Sequence, residues 1–152
     1  MNTEFSEADK IIIKQALFIL EMHHKNKDMS FTQADETKNY LRLSIGGEDR
    51  EIFGVLFLNR QNQLISFEKL FVGTTDRVSV YCKEIVKTFI KHNASTVILT
   101  HNHPAGDVSP SAADFAVTRK IIEALKFFDG EVLDHIIVSK TDAYSFAEYG
   151  RI

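Results

Sequence analysis

Residues 97–117, "VILTHNHPAGDVSPSAADFAV", decide how the rest of the chain is read. An apolar run rich in branched side chains ends in two histidines one residue apart, His101 and His103. Pro104, Gly106 and Asp107 then mark a turn, and apolar residues resume at helical spacing. A buried strand therefore leads into a loop, and the loop into a helix. In extended chain, alternate residues project to the same side, so His101 and His103 present two imidazoles to one point. With Ser109 as the helix cap and Pro110 in the first helical position, Ser111 and Asp114 lie three apart on one face of the first turn. Two imidazoles and a carboxylate are a ligand set that zinc favours, and three protein ligands leave a fourth position open to water, as in catalytic sites. Zinc lowers the pKa of such a water to about 7. A plainer reading stands beside this one. Ser111 and Asp114 also match a capping box, and a His-Pro loop is often simply solvated.

Working outward, "SEADKIIIKQALFILEMHHKNK" predicts a helix. Ser6 is its cap, Glu7 and Asp9 are acidic in the first turn, and Ile12, Ile13, Ala16, Leu17, Leu20 and His24 fall on one side. "KDMSFTQAD" reads as a polar linker. "NYLRLSIG" alternates and predicts a strand. "EIFGVLFLNRQNQLISFEKLFVG" predicts two antiparallel strands turning near "NRQNQ". A helix over "VSVYCKEIVKTFIKHN", the strand "STVILT" and a long helix stopped by Gly130 follow. "EVLDHIIVS" and "AYSFAEYG" close the chain. The order α-β-β-β-α-β-α-β-β implies an α/β domain with a mixed sheet, and a site at the carboxyl end of a buried strand.

Composition sets the bounds. The chain has 152 residues, 44% of them hydrophobic and 26% charged, which suits one globular domain. A net charge of −3 argues against a dedicated nucleic-acid binder. One cysteine, Cys82, allows neither an internal disulfide nor a Cys-rich zinc site, and fits a reducing, cytoplasmic compartment. The N-terminus lacks the basic start and the cleavage site of a signal peptide, and no apolar run approaches a membrane span. The zinc deaminases need an H-x-E and a P-C-x-x-C that this chain lacks, and the HNH nucleases need histidines dispersed over a ββα unit.

His101-x-His103, seven residues, Ser111, two residues and Asp114 together resemble the JAMM (MPN/JAB) metalloprotease pattern. "HNHPAGDVSPSAAD", with "EIFGVLFLNRQNQLI", "LFVGTTDRVSVYCKEIVK", "VLDHIIV" and "YSFAEYG", is similar to its RadC branch. The resemblance spans about residues 38 to 152, leaving 1–37 as an N-terminal helix and linker. It implies a cytidine-deaminase-like α/β/α sandwich and a zinc ion held by His101, His103 and Asp114. It also implies Ser111 as a hydrogen-bond donor to the reacting oxygen and a glutamate acid/base. In the wider family that glutamate opens a strand of the form E-x-x-G-x-x-x, and "EIFGVLFL" fits, so the candidate is Glu51. Glu48 and Glu68 are its rivals. The implied activity is hydrolysis of a peptide or isopeptide bond in an unidentified peptide or protein substrate.

The chain departs from the RadC pattern in one respect. The helix-hairpin-helix DNA-binding region usual before the domain is not visible in residues 1–37, so a DNA-repair role is poorly supported, and a stand-alone catalytic domain or a short paralogue of the kind found on mobile elements is expected. The rival reading is a DNA-associated accessory module. Its support is the basic set Arg77, Lys83, Lys87, Lys91 and His92, which a solvated helix face also explains. A pseudoenzyme is disfavoured by the complete His-His-Asp-Ser set. Cys82 is expected to be a buried inert thiol. His135 is expected to be a buried histidine or one standing behind a ligand, and Asp134 is a candidate to orient a ligand imidazole. His23 and His24 suit a helix end.

Overall fold

The computed structural model describes residues 5–25, 31 and 33–152. Its elements are α1 (Glu7–Lys25), α2 (Ala34–Ile45), β1 (Ile52–Leu58), β2 (Leu64–Val72), α3 (Cys82–Lys91), β3 (Thr96–Asn102), α4 (Ala112–Lys126), β4 (Glu131–Val138) and β5 (Ala143–Ser145). The strands form one mixed sheet in the order β2-β1-β3-β4-β5. Only β3 and β4 are parallel, and α4 makes the crossover between them.

Strand alternation builds a core on each face. Ile52, Leu56 and Leu58 of β1 and Ile98 of β3 pack with Tyr40, Leu41 and Ile45 of α2, and Leu17 and Leu20 of α1 join them. Phe53, Val55 and Phe57 turn the other way, with Val97 and Leu99, onto Ile85 and Phe89 of α3 and Ile121 and Leu125 of α4. β1 is buried along its whole length because both faces are covered. This is the expected α/β/α sandwich around a mixed central sheet. Among the described residues, no helix is long and apolar enough to cross a membrane.

The structure differs from the expected elements at α2 and at the end of α4. "NYLRLSIG" is the second half of α2, not a strand. Leu41, Leu43 and Ile45 satisfy an alternating pattern, but the residues that are buried are Thr37, Tyr40, Leu41 and Ile45, which recur at helical spacing. Leu43, which the alternation would bury, is exposed. Gly46 ends this helix where only a glycine fits: a Cβ there would lie 2.5 Å from the carbonyl oxygens of both Arg42 and Ser139. The second difference concerns α4, which stops at Lys126 with Phe127 as its C-cap. The left-handed residue that follows is Asp129, at φ 56°, rather than Gly130.

At the N-terminus, Ser6 and Asp9 form the expected reciprocal cap: the Asp9 N–H donates to the Ser6 hydroxyl at 3.1 Å and the Ser6 N–H donates to the Asp9 carboxylate at 3.0 Å. The side chains of His23 and His24, and most of the linker before α2, lie outside the described residues.

Candidate metal centre

His101 is placed by the pairing of β3 with β1. It lies opposite Phe53 and on the same face as Val97 and Leu99. It is buried, and its ring stacks on Phe53 with 11° between planes. His103 stands just past the strand. Its N–H donates to the Val138 carbonyl at 2.9 Å, and the Gly106 N–H donates back to the His103 carbonyl at 3.0 Å. Gly106 sits at φ 98°, a conformation that favours glycine, and so returns the chain towards α4. His103 Nδ1 lies 2.7 Å from the Asp107 carbonyl oxygen. A carbonyl only accepts, so Nδ1 carries the proton and the Nε2 lone pair faces inward.

The same logic fixes His101 through a longer chain. The Thr118 hydroxyl lies 2.6 Å from the Asp114 carbonyl oxygen and 2.6 Å from His135 Nδ1. Two oxygens that close need the hydroxyl proton between them, so Thr118 accepts from His135 Nδ1. His135 Nε2 is then the acceptor for His101 Nδ1 at 2.8 Å. The Nε2 lone pair of His101 therefore also faces inward, and the two Nε2 atoms are 2.9 Å apart. Burial holds His135 well below the ordinary histidine pKa, which keeps it neutral.

A β-bulge decides that His135, and not Asp134, occupies this position. Val97 pairs with Val132, but Ile98 pairs with Asp134, so Leu133 is an extra residue. Beyond it, His135 shares the face of Leu99 and His101. Asp134 turns to the opposite face, where it accepts from the Ser145 hydroxyl at 2.5 Å and the Ala147 N–H at 2.9 Å. The expectation that Asp134 orients a ligand imidazole is corrected accordingly: His135 does so. His135→Leu is expected to keep the fold and lower metal affinity about 10–100-fold, the usual loss for such a partner. His135→Gln, which keeps an acceptor, should recover part of it. Competition against a chelator measures both, and equal affinity in all three proteins would reduce His135 to packing.

Asp114 comes from the first turn of α4. The cap of this helix is Ser111, not Ser109, and the capping box is complete: the Asp114 N–H donates to the Ser111 hydroxyl at 3.1 Å and the Ser111 N–H donates to Asp114 Oδ2 at 2.8 Å. The same carboxylate lies 3.2 Å from His101 Nε2 and 3.6 Å from His103 Nε2. Burial pushes the Asp114 pKa up, but in the metal-free site the two imidazoles beside it, when either Nε2 takes up a proton, outweigh burial and hold the carboxyl well below the usual range. Asp114 in turn raises His103, against the effect of burial. The point between these groups draws a positive charge, whether a proton or a metal ion.

Glu51 immediately precedes β1. Its backbone is clamped by Thr74 and Gly73, with its N–H donating at 2.6 Å and its carbonyl accepting at 2.7 Å. Asn102, between the two histidines but on the opposite face, holds the same segment. It accepts from the Ile52 N–H at 2.7 Å and donates to the carbonyls of Arg50 and Glu48 at 3.0 and 3.2 Å. Nothing local in the sequence marks Asn102, because its partners lie some fifty residues away. Glu51 Oε1 is 3.9 Å from both Nε2 atoms, and Glu51 Oε2 is buried with no hydrogen-bond partner. Burial raises the Glu51 pKa, and the nearby histidines offset this only in part. Its rivals are engaged elsewhere: Glu48 with Lys69 at 3.2 Å, and Glu68 with His92 at 2.9 Å.

Glu51, His101 and His103 are positioned to hold a metal ion, their ligand atoms lying within 4.8 Å of one another. Asp114 brings a second carboxylate to the same nitrogens. The donors fit a cation: two imidazoles turn their Nε2 atoms to one point, and a buried carboxylate oxygen has no partner of its own. The site opens into a cleft of about 410 Å³ lined by Glu51, Val78, His101, Ser111, Asp114 and Lys120. Cys82 opens α3 half-buried against the apolar core rather than fully buried. In the basic set, Lys87 pairs with Glu84 at 3.5 Å, His92 with Glu68, and Arg77 lies 3.8 Å from Asp76.

This fold and this site define an α/β domain with a candidate metal centre at the carboxyl end of its sheet. The RadC-like JAB domain profile matches residues 31–151, and the chain belongs to that family. It is 42% identical over 142 residues to the UPF0758 protein YeeS of Escherichia coli K12, covering 93% of this chain and 96% of that one. A UPF0758 protein of Vibrio cholerae is 44% identical over 157 residues, covering 99% of each chain. One from Janthinobacterium sp. strain Marseille is 48% identical over 124 residues, which are 82% of this chain and 55% of that longer protein.

Proposed function

We propose that the protein is a zinc-dependent hydrolase that cleaves a peptide or isopeptide amide bond. The observation that carries this reading is the buried, partnerless Glu51 oxygen beside two imidazoles whose lone pairs converge. His101, His103 and Asp114 are the metal ligands in this reading, since Asp114 lies nearer both Nε2 atoms than Glu51 does. When bound, zinc supplies Lewis acidity and makes a water acidic enough to lose a proton near neutral pH. Glu51 accepts that proton and delivers it to the leaving nitrogen. The Ser111 cap uses one lone pair of its oxygen, which leaves the O–H free to donate to the reacting carbonyl oxygen at the cleft.

Elemental analysis of the purified protein and cleavage of a peptide library test the proposal. About one zinc per chain is expected, with cleavage that stops on chelation and returns with zinc. A zinc-loaded protein that cleaves no amide in the library would overturn the hydrolase reading. Ser111→Ala should cost about 1 kcal/mol as a lost cap and lower turnover roughly 10²–10³-fold as a lost oxyanion donor. Melts and rates on the same samples separate the two effects. Unchanged turnover per folded molecule would leave Ser111 as a cap alone.

A further inference from the structure

Helix α1 carries two apolar faces, and the fold uses one. Ile13, Ala16, Leu17 and Leu20 are half-buried, with Leu17 and Leu20 packed on the core beneath. On the other side Ile11, Ile12, Phe18, Ile19 and Met22 are all exposed, Ile12 at 62% and Phe18 at 63%. With 3.6 residues per turn, these five lie within about 60° of the direction of Gln15. Ile12, expected on the packed side, belongs to this second face instead. An apolar stripe of this length on a water-exposed helix marks an interaction surface.

We propose that this stripe is the interface of a symmetric dimer in which α1 packs antiparallel on α1 of a second copy, with the two-fold axis at Gln15. The sequence is self-complementary about that residue. Positions four before and four after are Ile11 and Ile19, and positions three before and three after are Ile12 and Phe18. A two-fold through Gln15 sets Ile11 against Phe18 and Ile12 against Ile19 of the other copy, and Ala8 leaves room for Met22. The two Gln15 side chains meet on the axis, where an amide both donates and accepts.

The helix ends agree with this choice of occupant. The acidic first turn, Glu7 and Asp9, comes beside the turn of the other copy that carries His23, His24 and Lys25 in the sequence. Parallel packing would bring acid against acid. A lipid surface favours basic residues along the polar face of a bound helix, and an acidic opening turn opposes that.

Sedimentation and disulfide trapping in a Cys82→Ser background test the dimer. The chain should sediment with the mass of two copies at micromolar concentration, and Phe18→Glu with the mass of one, with its circular dichroism unchanged. Gln15→Cys should crosslink to itself. Phe18→Cys should crosslink when mixed with Ile11→Cys, but not alone. A wild-type chain of single-copy mass would overturn the proposal, as would a Phe18→Cys protein that crosslinks to itself, which marks a parallel pair. A single-copy chain that pelleted with anionic vesicles would assign the stripe to a lipid surface instead.

Discussion

His103→Ala is expected to abolish stoichiometric metal binding and leave the fold intact. The ring is only partly buried, and the partner of its Nδ1, the Asp107 carbonyl, stays open to water after the change. Its loss removes a donor that points directly at the site, so the effect should exceed the about 10–100-fold cost of an outer partner. His101→Ala should lose the metal and stability together. That ring is 1% exposed and stacked on Phe53, and its removal orphans His135 Nε2 in the core. A cost of about 2–4 kcal/mol is the scale for such a large-to-small change in a core. Elemental analysis and thermal melts on both variants read the difference. Full metal occupancy in His103→Ala would remove that residue from the ligand set.

Glu51→Gln should reduce hydrolysis by about 10²–10⁴ while the metal stays bound, because the change removes a proton carrier and keeps the shape of the side chain. It should not destabilise the protein. Glu51 is a buried carboxylate with a partnerless oxygen, and exchanging a buried charge for a neutral amide relieves a desolvation cost. The variant also separates two ligand sets. If Glu51→Gln loses the metal and Asp114→Asn keeps it, Glu51 is the third ligand and the roles given to the two carboxylates are exchanged. Metal content, melting temperature and rate on the two variants decide this.

The strand-loop-helix unit around His101 was legible in the sequence because all its signals are local: an apolar run, two histidines in alternation, turn residues and a helical repeat. Glu51 was legible only through the family's strand register, since a glutamate before a strand is usually a solvated end. What brings it in is pairing across the sheet, the clamp of Asn102 and the Gly73–Thr74 segment. α2 reads as a strand because Leu41, Leu43 and Ile45 alternate, while Leu41 and Ile45 alone also fit a helical repeat, and only the neighbouring layer decides between them. His135 was legible as a buried histidine or one behind a ligand, but the choice between it and Asp134 as the partner of His101 was not. Asp134 and His135 are adjacent, and which of them faces the site depends on a bulge that no residue type announces. The exposed face of α1 was obscured by the packed one, because a helix apolar on two sides has no single stripe to read.

That bulge also sets the charge of the site. Glu51 and Asp114 bring two negative charges into a largely closed space, and a divalent cation would bring two positive ones. The imidazole behind His101 adds none, because burial keeps His135 neutral. Were Leu133 paired regularly with Ile98, with no bulge, Leu99 would face Asp134, and a third carboxylate would enter the same low-dielectric volume. Its charge would have no counterpart there, and an uncompensated buried charge costs several kcal/mol. Leaving Leu133 unpaired thus lets the centre and a doubly charged ion add up to zero.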